Sequence, residues 1–399
     1  MNLRQLFLNN VAQTSDYPLS LEIEKAEGIY LIDTNQKKYI DFISGIAVSN
    51  VGHRHPKVVE AIKKQVDSYL HLMVYGEYIQ SPQVKLANAI TETLADYSTK
   101  DGLKLDNVYF TNSGTEAVEG AMKLAKRFTG RTEVVACEKA YHGSTHGALS
   151  LGEEGFKRNY RPLLPEIRKI KRNCVGSLSQ ISTRTAAVFF EPVGGEIGSL
   201  PTEQQFIQTL RNRCKETGTL LIFDEVQSGF GRTGKFWSFE HYGIVPDMVL
   251  CAKGMGGGMP IGAFIAPSEI MAVFKENPIL GHITTFGGHP VSSAASLATL
   301  QVIREEKLLE QVAAKEQLIR DLLVHPKIKR INGKGFMLAA EMESFEVLKP
   351  VIDKAISLGV ITDWYLYCDN SMRIAPPLTI TKDEIRTACG LILEALDYV

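Results

Sequence analysis

At 399 residues the chain is long enough for more than one packed unit, because single cores stop growing near ~250–300 residues. Hydrophobic content of 44% with 22% charged residues suits a soluble globular protein, and a formal net charge of -1 offers nothing to nucleic acid or an anionic membrane. No apolar run approaches the ~18–20 residues of a membrane span.

The opening MNLRQLFLNN lacks the apolar core and cleavage site of a signal peptide, so a cytoplasmic protein is expected. Cys137, Cys174, Cys214, Cys251, Cys368 and Cys389 are scattered without a CxxC pair and read as reduced thiols, with no metal site implied. A polar helical segment leads to a hairpin, with Ile29–Ile32 and Tyr39–Phe42 flanking the turn-forming Thr34-Asn35. His53 and His55 have the look of a ligand pair, but Pro56 follows and no third ligand is near, so a metal role is set aside.

From about 84 to 265 helical patterns alternate with short apolar strands, the signature of an α/β unit with a mostly parallel sheet. The strands are VYFT (108–111), VVAC (134–137), AAVFF (186–190), TLLIF (219–223) and MVLCA (248–252). Asn112-Ser113-Gly114-Thr115 follows the first, Glu191 the third, Asp224-Glu225 the fourth and Lys253 the fifth. Open α/β sheets place ligands at such carboxyl ends. A long helical pattern over roughly 291–324, a strand-like GFMLAAEM, a helix over 345–358 and SMRIAPPLTIT then suggest a smaller α+β unit. The last helix opens with Thr381 and Glu384 in capping-box spacing. The expected division is an N-terminal segment (1–50) packing with the small domain, a large ligand-binding domain (51–290) and a small C-terminal domain (291–399).

A lysine at the tip of a buried strand loses its proton readily, because desolvation penalises the ammonium form. Lys253 is so placed, and neutral amine is the nucleophile that carbonyl compounds and pyridoxal phosphate require. Gly254, Gly256, Gly257 and Gly258 would let backbone pass close to a planar ligand. Ser113 and Glu116 have capping-box spacing, and Ala117, Ala121, Leu124 and Phe128 form one helix face. The helix N-terminus behind them suits a phosphate, although such turns are mostly plain caps. Asp224 in its apolar setting calls for a cationic partner such as a protonated pyridine nitrogen, or else a structural cap or ion pair. Tyr141 suits stacking on a planar ring, while His142 reads as a hydrogen-bonded structural histidine. Arg373 is placed to offer a bidentate fork to a carboxylate, with Glu196 as its partner when no substrate is present.

Together these segments resemble the class III aminotransferases (acetylornithine/ornithine/4-aminobutyrate type) of PLP fold type I. The resemblance runs from GIAVSNVGHRHPKV through NSGTEA, AYHG, EPVGGE and DEVQSGFGRTGKFWSFEHYGIVPD to AKGMGGGMPIGA, TTFGGHP and RIAPPLTIT. It implies an α/β large domain, its mostly parallel central sheet sandwiched by helices, plus a smaller α+β domain. The implied function is transfer of an amino group from an ω-amino acid or amine, acetylornithine- or ornithine-like, to a 2-oxo acid such as 2-oxoglutarate. Pyridoxal 5'-phosphate is the implied cofactor and a homodimer with shared active sites the implied assembly.

By the same resemblance Lys253 carries the cofactor and shuttles the substrate proton, and Asp224 holds the pyridine nitrogen protonated. Tyr141 and Val226 sandwich the ring, and Gln227 bonds its phenolic oxygen. Ser113, Gly114 and Thr115 hold the phosphate, helped by Thr285 from the other subunit. Arg373 binds the α-carboxylate of glutamate or 2-oxoglutarate, with Glu196 as its gate.

Ser144 stands where many of these enzymes carry an arginine for a second carboxylate, which opens an ω-amine:pyruvate alternative. An aminomutase or racemase on the same scaffold is a further alternative. Gly194 and His289 also depart from the usual glutamine and asparagine, and both are expected to reshape the substrate channel.

Overall fold

Strands apolar on both faces need cover on both faces, and the five apolar runs form strands of this kind. In the computed structural model, which describes residues 2–74 and 76–399, they are Asn107–Thr111, Glu133–Cys137, Thr185–Phe190, Leu220–Asp224 and Met248–Cys251. Ile167–Ile170 and Gly262–Ala266 complete a seven-stranded sheet. Its order is 107–111, 262–266, 248–251, 220–224, 185–190, 133–137 and 167–170. Gly262–Ala266 runs antiparallel to both neighbours, and the other pairings are parallel.

Alternate residues point to opposite faces. Ala136, Phe189, Ile222 and Leu250 pack beneath Val118, Ala121, Met122 and Ala125 of the helix Gly114–Thr129. Val135, Val188, Phe223 and Val249 join Phe206, Ile207, Leu210 and Cys214 of the helix Gln204–Thr217 on the other side. Helices thus sandwich a mostly parallel sheet, and every carboxyl-end loop of its parallel strands opens on one edge.

Two strands lie outside the five expected. Ile167–Ile170 is an edge strand whose IRKI sequence keeps two charges beside its buried positions, which masks the apolar signal. Gly262–Ala266 follows the glycine run directly and sits antiparallel between two strands remote in sequence.

The N-terminal hairpin forms from Tyr30–Asp33 and Lys38–Asp41, and the Asp33 carboxylate closes it by accepting the N–H groups of Asn35 and Lys37, both at 2.9 Å. Ile23–Glu27 pairs on its outer side, and Val360–Ile361 pairs parallel with Lys38–Asp41. A separate antiparallel sheet has the order Arg330–Lys334, Met337–Glu341, Cys368–Ile374, Trp364–Tyr365. Arg232, fully buried, donates to the carbonyls of Phe336 and Pro376 and to the Asn50 amide oxygen, joining these parts. Burial lowers its guanidinium to about 9.

Three local readings change. The Thr381–Glu384 box forms in full, but Ser113 and Glu116 form half of one. Ser113 Oγ accepts the Glu116 N–H at 3.3 Å, while the Glu116 carboxylate turns to the Asn112 N–H at 2.7 Å. Phe128 is 43% exposed, although Ala117, Ala121 and Leu124 on the same face are buried. The single helix over 291–324 is two, Pro290–Glu305 and Leu308–Leu322, broken where Lys307 takes φ +51.

A left-handed backbone disfavours any residue with a Cβ, and the exposed Lys307 side chain makes no hydrogen bond or ion pair among the described residues. Lys307→Gly is therefore expected to stabilise the protein by about 0.5–1 kcal/mol, seen as a higher denaturation midpoint, with no change in activity.

Candidate active site

The site begins with strand register. Asp224 pairs with Leu250 across the parallel strands Leu220–Asp224 and Met248–Cys251, so the fourth strand's acid ends level with the approach to Lys253. The chain then turns sharply, with Lys253 itself at φ +45, a conformation that costs ~1–3 kcal/mol and collects at functional sites. Lys253, Asp224, Val226, Gln227, Ser113, Gly114, Thr115, Tyr141, Ser144 and Glu196 line one cavity of about 520 Å³. A contiguous cavity of about 410 Å³ shares Tyr141, Glu196 and Lys253 and reaches Arg373.

Burial holds the Lys253 amine below the ordinary lysine range; Glu196, Asp224 and Glu191 pull the other way, and Arg373 adds to the lowering. Asp224 is 5% exposed and doubly held, its Oδ2 against His142 Nδ1 at 2.7 Å and its Oδ1 accepting the Val226 N–H at 3.0 Å. His142 thus has the hydrogen-bonded role expected of it, and its other ring nitrogen is buried without a partner among the described residues. Glu191, at the tip of Thr185–Phe190, accepts the Gly195 N–H at 3.1 Å, and its second oxygen has no hydrogen-bond partner among the described residues. Burial, opposed by His142 and Arg172 and assisted by Asp224, pushes it up to about 7.

On the opposite wall, Ser113 caps the helix Gly114–Thr129, and the Gly114 and Thr115 N–H groups meet no backbone acceptor among the described residues. A Cβ on Gly114 would lie 2.9 Å from Val226 Cγ1, so the helix start and the residue after Asp224 close on each other only through glycine. Thr115 Oγ1 is 2.7 Å from Thr145 Oγ1, and Tyr141 OH 2.9 Å from Ser144 Oγ.

Arg373 is paired with Glu196. Arg373 Nη2 and Nη1 donate to Glu196 Oε2 and Oε1 at 3.0 and 3.2 Å. Burial favours the neutral Glu196, but the Arg373 charge and hydrogen bonds, the Leu366 N–H and Lys253 outweigh it and hold the carboxyl at about 2. Gln227 Nε2 also donates to Glu196, at 3.1 Å.

Several expected residues lie elsewhere. Thr285 is exposed outside these cavities, its carbonyl 2.9 Å from His71 Nε2. Of the four glycines after Lys253, Gly258 alone lines the cavity. The others make room for protein: a Cβ would meet Asn50 at Gly254, the Met259 carbonyl at Gly256 and Thr299 at Gly257. Gly194 abuts Ile197 and Arg172, and His289 caps the helix Pro290–Glu305, so neither lines the site in this chain. His53 and His55 bind Asp41 and Glu306, at 2.8 and 3.2 Å. The role of Asp363, which binds the Nε edge of Arg373, has no sequence signal because it is ten residues away along a strand connection.

An amine of lowered basicity, an acid held for a ring cation and two free N–H groups at a helix N-terminus together fit pyridoxal phosphate. Known proteins agree. The chain matches the family Aminotransferase class-III over residues 11–396. It is 38% identical over 386 residues to the acetylornithine aminotransferase of Bacillus subtilis (strain 168), covering 95% of both chains. To that of Methanopyrus kandleri it is 39% identical over 386 residues, covering 96% of this chain and 95% of the other. The fold superposes on an ornithine aminotransferase from Toxoplasma gondii, solved with PLP at partial occupancy in its active site. The TM-score is 0.90 at 28% identity, over 99% of this chain and 93% of that one. Sequence match along nearly the whole length and likeness of fold lead to one statement: this chain belongs to the class-III aminotransferases, transaminases that work with pyridoxal phosphate.

Proposed function

We propose that the chain moves an amino group from an ω-amino acid, acetylornithine- or ornithine-like, to a 2-oxo acid such as 2-oxoglutarate in a ping-pong cycle. The observation that carries this reading is that Lys253 and Asp224, at the ends of adjacent strands, line one cavity with the helix start at Gly114. Bound there, pyridoxal phosphate supplies an aldehyde and an electron sink.

The chain's own groups do the rest. Ser113, Gly114 and Thr115 would hold the phosphate, and Asp224, oriented by His142, would accept the ring N–H. Tyr141 and Val226 would cover the ring, and Gln227 would donate to its phenolic oxygen. Lys253 would hold the cofactor, and its Nζ would take and return the substrate-carbon proton, a role that its lowered basicity supports. Glu196 covers Arg373 while the donor is bound and moves aside for the acceptor's α-carboxylate.

Thr285 completes the phosphate site across a homodimer. Exposed Leu72, next to the His71 that meets its carbonyl, and exposed Ile283 and Phe286, its near neighbours in sequence, support such a contact. We take residues 1–50 with 291–399 as a small domain against a large domain of 51–290. The cytoplasm is the compartment proposed; no helix among the described residues is long and apolar enough to cross a membrane.

One observation favours a second reading of the substrate. Lys253 and Arg373 are the cations lining the two cavities, and Ser144 is turned to Tyr141. A second carboxylate finds hydroxyls there, which favours pyruvate as acceptor or a donor with no second carboxylate.

Two outcomes follow. Lys253→Ala should abolish turnover and the borohydride fixing of cofactor to the chain; fixing that survives the change refutes the lysine role. On the second reading, wild-type protein uses 2-oxoglutarate weakly, and Ser144→Arg should lower its KM about tenfold or more, the effect of one charge-assisted fork. Tight 2-oxoglutarate saturation by the wild type would overturn the Ser144 reading.

A further inference from the structure

Arg373 has more than one carboxylate partner. While Glu196 takes the edge formed by Nη1 and Nη2, Asp363 Oδ1 accepts from Nε at 2.8 Å. The Trp364 carbonyl accepts from Nη2 at 3.3 Å, and the guanidinium carbon lies 4.2 Å over the Tyr365 ring. That ring is pinned in turn, its hydroxyl 2.7 Å from both Ser199 Oγ and the Leu338 carbonyl. The backbones are tied as well: the Arg373 N–H donates to the Asp363 carbonyl at 2.8 Å, and Thr362 Oγ1 to the Arg373 carbonyl at 2.7 Å.

We propose that Asp363 is a positioning residue that holds the Arg373 fork in place by its Nε edge, so that Glu196 and a substrate carboxylate can exchange on the other edge. The inference rests on the reading of Arg373 as the acceptor's carboxylate clamp. A guanidinium held by Glu196 alone would follow Glu196 as it moves, and would have to be ordered again for each acceptor. With Asp363, the Trp364 carbonyl and the Tyr365 face in place, the fork stays pointed at the cavity throughout. The incoming carboxylate then loses no affinity to ordering the arginine.

Glu196 is equipped to leave, since Gln227 Nε2 and the Leu366 N–H, each at 3.1 Å, remain as donors to it. Carboxylate replaces carboxylate, so the exchange leaves the charge at Arg373 unchanged. Asp363 is also first among the carboxylates that keep Arg373 charged against its burial, ahead of Glu196.

The experiment follows the two half-reactions of the holoenzyme separately in single turnovers, with an alkyl amine lacking a carboxylate as donor and a 2-oxo acid as acceptor. Asp363→Ala should raise the half-saturating concentration of the oxo acid about tenfold, with its limiting rate and the donor half-reaction within threefold of wild type. Asp363→Asn, which keeps the oxygen acceptor, should stay within threefold throughout. An unchanged acceptor half-saturation in Asp363→Ala overturns the proposal. So does an equal fall of both half-reactions that Asp363→Asn fails to rescue, because that is loss of folded enzyme. Arg373→Lys separates the two readings: no effect on the acceptor sinks the clamp itself, whereas a strong effect beside an inert Asp363→Ala sinks only the positioning role.

Discussion

Removing a lysine ammonium from water costs more than its neighbours return, and at the tip of Met248–Cys251 the chain places Lys253 under that pressure. Burial supplies it, with the Arg373 charge adding to it, while Glu196, Asp224 and Glu191 return only part of the cost. Parallel pairing with Leu220–Asp224 then brings Asp224 to the same cavity without any dedicated loop. The sheet is thus both the scaffold and the means by which an amine and an acid reach one cavity.

The carboxylates of the site are kept apart by their partners rather than by distance in the chain. Asp224 has His142 and the Val226 N–H, Glu196 has Arg373, Gln227 and Leu366, and Asp363 has the far edge of Arg373. Glu191 accepts one backbone N–H and burial pushes it up to about 7, so it carries less negative charge beside Asp224 than an exposed glutamate would near neutral pH. Arg373 is neutralised by groups that differ in how firmly they are attached: Asp363 is tied to it through the backbone, whereas Glu196 approaches from another part of the chain. Such an arrangement lets one contact change while the other stays.

The glycines after Lys253 illustrate how a correct sequence signal can have a different physical cause. A run of four glycines reads as clearance for a ligand, and one of them lines the cavity. The remaining three clear Asn50, the Met259 carbonyl and Thr299. Asn50 also accepts from buried Arg232, so the loop that presents Lys253 is packed against the part of the chain that carries the hairpin. The tightness of that loop therefore belongs to the joining of distant segments as much as to the cofactor.

Local chemistry along the chain is enough to identify five of the central sheet's seven strands, the polar residues at the tips of four of them, the helix start at Ser113 and the hairpin around Asp33, because each is encoded within a few consecutive residues. The family is equally legible, since its motifs are contiguous. Tertiary structure decides what depends on partners far apart in sequence. These are the antiparallel insertion of Gly262–Ala266, the His142–Asp224 contact, the break at Lys307 within one continuous helical pattern, and the second carboxylate on Arg373. Hydrogen bonds between strands and across connections follow from register and side-chain direction, and neither leaves a spacing in the sequence from which it can be read.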